Sequence, residues 1–161
     1  MPDDLPFALD VGFDRLYGLE LTEIADGIMR GKVAVRDQIK QPAGLVHGGI
    51  YAAIAESLAT TGTALAVIPE GNTAMGLSNQ TSFLRPVTEG HINAHARARH
   101  RGRTTWVWEV ELSDDADRLC ALTRVTVAVR KVRDHGSGSH HHDGAPASPA
   151  TTDRASPGSG W

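Results

Sequence analysis

Residues 49–68 read GIYAAIAESLATTGTALAVI, and this stretch decides the fold. It contains no proline and is rich in alanine and leucine, which favour helix formation. Apolar residues recur in it at helical spacing, at Ile50, Ala53, Ile54, Leu58 and Leu65. The stretch therefore predicts one long helix that ends before Pro69.

The predicted helix carries only one charged side chain, that of Glu56. No lysine or arginine occurs anywhere between Gln41 and Leu84. A helix of this length on a protein surface would show several charges on its polar face. We therefore expect the helix to be buried on nearly all sides, with Glu56 as a lone carboxylate in apolar surroundings.

Segments in which apolar and polar residues alternate lie on both sides of this helix. Four follow it, each bounded by Gly, Pro or Asp, at 73–86, 90–101, 103–113 and 118–132. Two precede it, joined by the hairpin signal Ala-Asp-Gly, at 19–24 and 28–36. A short irregular helix that Gly18 ends is expected before them, with an apolar side made by Phe7, Phe13, Leu16 and Tyr17. This order predicts an α+β fold, with an antiparallel sheet of about six strands wrapped around one long central helix.

The expected sheet has at least one edge strand with unpaired backbone groups. A second copy of the chain could pair with that edge, so the sequence predicts a homodimer. The chain also divides by composition. Residues 1–133 form the expected single domain, whereas residues 134–161 consist mainly of Gly, Ser, Pro, Ala, Thr and His. We expect this second region to be a disordered low-complexity tail, because it offers too little apolar surface to offset the entropy of ordering.

The overall composition argues against several classes of protein. The formal net charge of −3 and the even spread of lysine and arginine give no basic patch for nucleic acid. Cys120 is the single cysteine, which excludes an intrachain disulfide and favours the reducing cytoplasm. Acidic residues near the amino terminus differ from a secretory signal, and no uninterrupted apolar run is long enough to cross a membrane. The tail contains three histidines that could ligate a metal, namely His140, His141 and His142. Because a flexible tract gives ligands no fixed geometry, no metal site is predicted there.

Glu56 and the start of its helix are the candidate catalytic features of the sequence. No cation stands three or four residues from Glu56 to neutralise its carboxylate. A carboxylate in this position suits proton transfer, or it could face a polar loop or a subunit interface and only form hydrogen bonds there. Gly48 and Gly49 stand at the helix start, where N–H groups without helical acceptors can bind a developing oxyanion. The alternative is that these glycines only make a tight turn.

The wider pattern resembles a known family. Gln41 is followed after five residues by His47-Gly48-Gly49, and Glu56 stands in Ala-Glu-Ser with Thr60 one helical turn later. Together with FLRPVTEG at 83–90 and HRGR at 100–103, these motifs are similar to those of hotdog-fold CoA thioesterases. The resemblance is greatest to the branch that includes phenylacetate-pathway, Arthrobacter-type 4-hydroxybenzoyl-CoA and dihydroxynaphthoyl-CoA thioesterases. It covers most of residues 7–132.

This resemblance implies hydrolysis of an acyl-CoA to a free acid and CoA. Glu56 would be the nucleophile or the general base for water. Gln41 and Gly48 would polarise the thioester carbonyl, and His47 would shape the loop or contact the carbonyl. Thr60 would orient the carboxylate or the water, unless its hydroxyl only bonds its own helix backbone. The expected assembly is a dimer or a dimer of dimers, the latter being a homotetramer.

The resemblance also implies which residues contact the CoA ester. They are Gly49, Gly76, Phe83, Leu84, Arg85, Pro86, His100, Arg101, Gly102, Arg103, Thr104 and Thr105. The arginines among them can pair with phosphate oxygens, and CoA is then part of the substrate, so that no cofactor is needed.

Phe83 and Leu84 depart from the pattern, because dihydroxynaphthoyl-CoA enzymes tend to carry two histidines there. The apolar pair suits an aromatic or a short to medium aliphatic acyl group, and the residues do not choose between them. Two other functions remain open on this fold, namely a CoA-ester binding protein without hydrolysis and a dehydratase acting on hydroxyacyl thioesters.

Overall fold

The computed structural model describes residues 12–132 of the chain. The predicted place of Phe7 in the first helix and the predicted disordered tail at 134–161, with its three histidines, lie outside these residues. The remaining predictions of secondary structure concern described residues.

The described chain contains six strands, two α-helices and two short 3-10 turns. In chain order the α-helices and strands are α1 Gly12–Tyr17, β1 Leu19–Ala25, β2 Ile28–Ala34, α2 Gly48–Val67, β3 Asn72–Phe83, β4 His91–Arg101, β5 Thr105–Ser113 and β6 Leu119–Lys131. The 3-10 turns cover Asp37–Ile39 and Ile68–Glu70. The predicted fold class is confirmed, because one antiparallel sheet of six strands packs on one long helix in the hotdog arrangement.

The strands follow the order β1-β2-β4-β5-β6-β3 across the sheet. Every neighbouring pair is antiparallel. Strand β3 comes directly after the helix but pairs with β6, the last strand, so that it forms one edge of the sheet and β1 forms the other. Its ladder with β6 runs from Asn72, opposite Lys131, to Phe83, opposite Ala121, and a bulge interrupts it between Gly76 and Ser78.

One face of the sheet buries its side chains against α2. The inward residues of β5 and β6 alternate along each strand, and they are Trp106, Trp108, Val110 and Leu112 with Val125, Val127 and Val129. Ile54 and Leu58 of the helix are fully buried against them, and each such side chain contributes about 1.5–3 kcal/mol. The contact also contains one polar link, in which Trp108 Nε1 donates to Thr63 Oγ1 at 2.9 Å.

The prediction that α2 is buried on nearly all sides is wrong for the single chain. Residues 52, 53, 56, 57, 60, 61 and 62 of the helix are only partly buried, and Ala66 is exposed. The reason is geometric: the sheet covers one side of the helix, and the strand nearest the other side, β3, is the edge strand. Glu56 is therefore half-buried and not enclosed.

By length and composition alone, the segment Gly48–Glu70 could cross a membrane. Its largest apolar side chains pack on the sheet, however, as expected of the core helix in a soluble hotdog domain. The apolar character of the segment is thus explained by its packing on the inner face of the sheet.

Helix α1 ends where the sequence predicts, because Gly18 adopts a left-handed conformation with φ of 78°. Only Tyr17 of its apolar residues is buried, whereas Phe13 and Leu16 are exposed. The Tyr17 hydroxyl donates to Asp14 at 2.6 Å, and the Ser57 hydroxyl donates to the same carboxylate oxygen at 2.6 Å. Burial raises the pKa of Tyr17, so that this network holds α1 on α2 with the phenol protonated.

Candidate active site

The carboxylate of Glu56 lies between α2 and strand β3. Asn79 Nδ2 donates to Glu56 Oε2 at 3.2 Å, and Thr60 Oγ1 stands 3.5 Å from Glu56 Oε1, which is long for a hydrogen bond. No lysine, arginine or histidine forms a salt bridge with Glu56 among residues 12–132. The carboxylate is thus held by neutral donors, and the predicted pairing of Glu56 with Thr60 is present as a long contact.

Gly76 makes room for this carboxylate. A Cβ atom at Gly76 would lie 1.7 Å from Glu56 Oε1, so no side chain fits while Glu56 keeps its place. The resemblance implied a contact of Gly76 with CoA. The structure places Gly76 against Glu56, at the bulge of β3, and the contact with CoA stays a prediction.

The start of α2 is capped by its own histidine. His47 is the N-cap residue, and its Nδ1 accepts a hydrogen bond from the Gly49 N–H at 2.9 Å. The N–H of Gly49 is therefore occupied, which narrows the expected oxyanion site to Gly48. Because Nδ1 accepts, a neutral His47 carries its proton on Nε2, which is then a second donor on the N-cap residue.

A pocket of about 710 Å³ opens at this helix start. It is lined by Gln41, Leu45, Val46, His47, Gly48, Gly49, Tyr51, Phe83, Leu84, Arg85 and Pro86. The fold thus brings together Gln41, the histidine and glycines, and the segment at 83–86, which the sequence separates by more than 30 residues. The Phe83 ring covers Gly48 closely, since a Cβ there would lie 2.9 Å from Phe83 Cζ.

Tyr51 is part of this pocket and was not predicted from the sequence, where it counts as one more apolar helix residue. It is 4% exposed, and its ring centroid stands 6.1 Å from that of Phe83. Its hydroxyl is buried without a hydrogen bond of good geometry to any described residue. Burial raises the pKa of Tyr51 to about 12. Tyr51 and Phe83 therefore give the pocket an aromatic wall, and the Tyr51 hydroxyl is a polar atom buried within that wall.

The second group of predicted contacts lies at the opposite end of α2. A pocket of about 850 Å³ there is lined by Asp26, Ala66, Val67, Glu70, Asn72, Arg101, Gly102, Arg103, Thr104, Trp106, Val129, Arg130 and Lys131. The 20 residues of α2 separate it from the first pocket by about 30 Å at 1.5 Å per residue. A single chain does not bring the two groups of predicted contacts together.

The second pocket is rich in cations. Arg101 binds Asp26 at 2.7 Å and lies over the Trp106 ring, 5.1 Å from its centroid. Arg130 donates to the Thr104 carbonyl at 3.0 Å. Sequence reasoning missed Arg130, Lys131 and Trp106, although the basic pair at the end of the last strand was a signal.

His100 and Thr105 frame the turn of this pocket. The Gly102 N–H donates to the Thr105 carbonyl at 2.9 Å. A Cβ at Gly102 would lie 2.7 Å from His100 Nε2, so a glycine is required for the turn to close as it does. His100 and Thr105 therefore stand beside the predicted arginines.

Comparison with known proteins agrees with this geometry. The thioesterase superfamily matches residues 43–121. Rv1847 of Mycobacterium tuberculosis is 37% identical over 123 residues, which are 74% of this chain and 87% of that protein. Its structure superposes with a TM-score of 0.73, at 35% identity over 76% of this chain and 99% of the other.

This chain belongs to the thioesterase superfamily. Two further relatives carry informative names. The 1,4-dihydroxy-2-naphthoyl-CoA hydrolase of Listeria monocytogenes is 31% identical over 123 residues, covering 76% of this chain and 99% of the hydrolase. The structure of a mutant of thioesterase PA1618 from Pseudomonas aeruginosa has a TM-score of 0.71 at 33% identity, over 74% of this chain and 86% of the other. The chain is thus a hydrolase of the thioesterase type.

Other polar side chains of this superfamily member are engaged elsewhere. His91 and Asn93 on β4 contact Asp115 at 3.3 and 3.2 Å. Burial and two nearby arginines lower the pKa of His95 on the same strand face. No group of three or more His, Cys, Asp or Glu side chains with metal-binding geometry occurs within the described part of the chain.

Proposed function

We propose that the chain hydrolyses an acyl-CoA thioester to a free acid and CoA, with Glu56 as nucleophile or general base. The observation that carries the proposal is the Glu56 carboxylate, which lies on Gly76 without a salt-bridge partner among residues 12–132. A carboxylate that neutral donors hold, and that no cation pairs with, can accept a proton or act as a nucleophile. Superfamily membership supports the thioester as the bond that is broken.

The reaction needs charge stabilisation as well as a base. The Gly48 N–H at the helix start, the Nε2–H of His47 and the amide of Gln41 would donate to the carbonyl oxygen as it becomes an oxyanion. Glu56 then removes a proton from the attacking water, or its oxygen attacks the carbonyl carbon and water later hydrolyses the anhydride. In both routes the carbon–sulfur bond breaks, and the CoA thiolate leaves and takes up a proton.

A second copy of the chain completes this arrangement in our proposal. Glu56 follows Gly48 by eight residues, or about 12 Å along the helix, whereas a base must act within about 3 Å of the reacting atoms. Strand β3 is unpaired on one side in the described chain and exposes Met75 and Leu77. Antiparallel pairing of two β3 strands would set the helix start of one copy near Glu56 of the other. The active unit is then a homodimer, and two dimers can form the homotetramer.

The same pairing explains the two separate pockets. Arg101 and Arg103, with Arg130 and Lys131 beside them, would bind the phosphates of CoA in one copy, while the thioester reaches the helix start of the other. Arg85 is exposed beside the helix-start pocket and could bind a phosphate there.

The acyl group we propose is aromatic or a short to medium aliphatic chain. Phe83, Leu84 and Tyr51 give the helix-start pocket an apolar wall that fits such a group. The Listeria relative is named for an aromatic acyl-CoA, which is consistent with the branch suggested by the motifs. We also propose the cytoplasm, where CoA esters and a single free cysteine are both expected.

A thiol-release assay with a panel of aromatic and aliphatic acyl-CoAs tests the function. We expect CoA release by the wild type and a loss of at least about a hundredfold in kcat for Glu56→Gln, the usual contribution of general-base catalysis. Glu89→Gln is the matched control, because Glu89 is exposed and lies outside both pockets proposed for the substrate. Full turnover by Glu56→Gln would disprove the role of the carboxylate.

The assay also separates the other candidate functions. Acyl-CoA binding without any CoA release would show a binding protein and not a hydrolase. A product whose mass differs from the substrate by one water, with the thioester intact, would show a dehydratase.

A further inference from the structure

Asn79 connects strand β3 to helix α2 at the position of the candidate base. Its Nδ2 atom donates to the Ala52 carbonyl at 2.9 Å and to Glu56 Oε2 at 3.2 Å. One amide group thus contacts both the backbone of the helix and the carboxylate that the helix carries. The contact to Glu56 is shorter than that of Thr60, at 3.5 Å.

Two threonines fix which way this amide faces. Thr81 Oγ1 donates to Asn79 Oδ1 at 2.9 Å, and Thr81 Oγ1 stands 3.0 Å from Thr123 Oγ1. A threonine hydroxyl has one proton, so Thr123 is the donor in the second bond. Thr123 is fully buried in β6, which anchors the chain of hydrogen bonds in the sheet.

A flipped amide is excluded by the same contacts. With the nitrogen and oxygen of Asn79 exchanged, its oxygen would face two acceptors, the Ala52 carbonyl and the Glu56 carboxylate. Its nitrogen would face the Thr81 hydroxyl, whose proton would have to turn away. The network therefore selects the orientation in which the NH₂ group of Asn79 points at Glu56.

We propose that Asn79 is a positioning residue that holds the Glu56 carboxylate in its reactive orientation. This inference rests on the proposed hydrolysis of acyl-CoA. The bond from Asn79 restrains Oε2, and Oε1 then lies over Gly76 and beside Thr60, where it can receive a proton or attack a carbonyl carbon. Thr81 acts one step further away, by holding the amide of Asn79.

A merely structural role for Asn79 makes a different prediction. If the side chain only ties β3 to the Ala52 carbonyl, its removal lowers stability and disturbs substrate binding and turnover together. If it positions Glu56, its removal lowers kcat while KM and the folded structure are retained.

The test is a double-mutant cycle on an acyl-CoA that the wild type hydrolyses. We expect Asn79→Ala to lower kcat about tenfold and to leave KM within about twofold, as for loss of a solvent-exposed hydrogen bond to a charged group. Thr81→Val should lower kcat about threefold, and Thr81→Ser should recover most of that loss. In the double variant Asn79→Ala/Thr81→Val, kcat should equal that of Asn79→Ala, because Thr81 acts through Asn79.

Two further variants complete the experiment. Gln80→Ala is the control, since Gln80 is exposed and points to the opposite face of the strand, and its kcat should match that of the wild type. Asn79→Asp keeps the shape of the side chain but places a negative charge beside Glu56, so its kcat should fall below that of Asn79→Ala. This variant decides the question if Asn79→Ala fails to fold.

The outcomes separate the two proposals. Wild-type kcat in Asn79→Ala or Asn79→Asp, or independent losses from Asn79 and Thr81, would overturn the positioning role while hydrolysis stands. If the wild type releases no CoA from any ester of the panel, the proposed function fails, and the positioning role fails with it.

Discussion

At the scale of single residues, the site depends on one carboxylate and the small groups around it. The Glu56 carboxylate lies in the space left by the absent side chain of Gly76. It also contacts the amide of Asn79 and the hydroxyl of Thr60. None of these groups is a cation, so the negative charge stays uncompensated within the described chain. An unpaired carboxylate in a partly buried place costs solvation free energy, so this position indicates a role in chemistry more than one in stability.

Gly76→Ala tests whether the place of the carboxylate matters. The new Cβ would stand 1.7 Å from Glu56 Oε1, so the flexible end of Glu56 must move away. We expect kcat for acyl-CoA hydrolysis to fall by about a hundredfold, which a displacement of about 1 Å can cause. The melting temperature should change little, because the side chain and not the backbone yields. Ser78→Ala on the same strand is the control, and equal activity of both variants would contradict the prediction.

At the scale of elements, the packing of helix α2 on the sheet depends on a buried hydrogen bond as well as on apolar contacts. Thr63 is fully buried, donates to the Ala59 carbonyl at 2.8 Å and accepts from the Trp108 indole at 2.9 Å. Gly62 next to it leaves room for the same ring, since a Cβ there would lie 2.7 Å from Trp108 Cη2. Two consecutive residues, the small Gly62 and the hydroxyl-bearing Thr63, therefore fix the register of the helix on the sheet.

Thr63→Val keeps the volume of this side chain but removes the acceptor for Trp108. The indole N–H would then be buried without a partner, which lowers the free energy of unfolding by about 1–3 kcal/mol. Urea denaturation followed by circular dichroism measures the change. Thr61→Val makes the same substitution at a partly buried helix position and should shift stability by less than about 0.5 kcal/mol. Similar losses in both variants would show that the hydrogen bond is unimportant.

At the scale of the whole molecule, our proposal is that a second copy of the chain completes the site through the edge strand β3. It is 12 residues long, is largely exposed, and carries Met75 and Leu77 at 53% and 57% exposure. A long edge strand with exposed apolar side chains promotes association in a monomer, and pairing with a second copy would remove that risk. In the proposed dimer, the helix-start pocket of one copy works with the cationic pocket of the other.

Leu77→Asp tests the proposed dimer. A charge on the apolar edge should weaken pairing of the two β3 strands, so we expect a smaller hydrodynamic size in size-exclusion chromatography and a parallel loss of acyl-CoA hydrolysis. Thr22→Asp introduces the same charge on the other edge strand, β1, and should change neither property. A wild type that is monomeric and active would disprove the need for a second copy.

The fold and the helix-start part of the candidate site could be predicted from the sequence, for reasons of local pattern. The helix of Ala and Leu with one charge, the alternation in the strands and the glycines at the helix start are all properties of consecutive residues, and they determined the α+β class, Glu56 and the helix-start motif. The pattern did not determine the ends of the strands. It continues through Pro86, whereas β3 ends at Phe83. Beyond Phe83 the N–H groups of Leu84 and Arg85 both donate to the Cys120 carbonyl, so the regular ladder stops before Pro86.

Only the tertiary structure decided the contacts between distant segments. Asn79 meets Glu56 because β3 returns along α2 with a bulge at Gly76, and no local pattern encodes that register. Tyr51 became a pocket residue because Phe83 packs beside it, and the predicted CoA contacts fell into two groups because α2 separates them. Hydrophobic periodicity determines which face of an element is buried, whereas the partner of each polar group depends on how the elements meet in space.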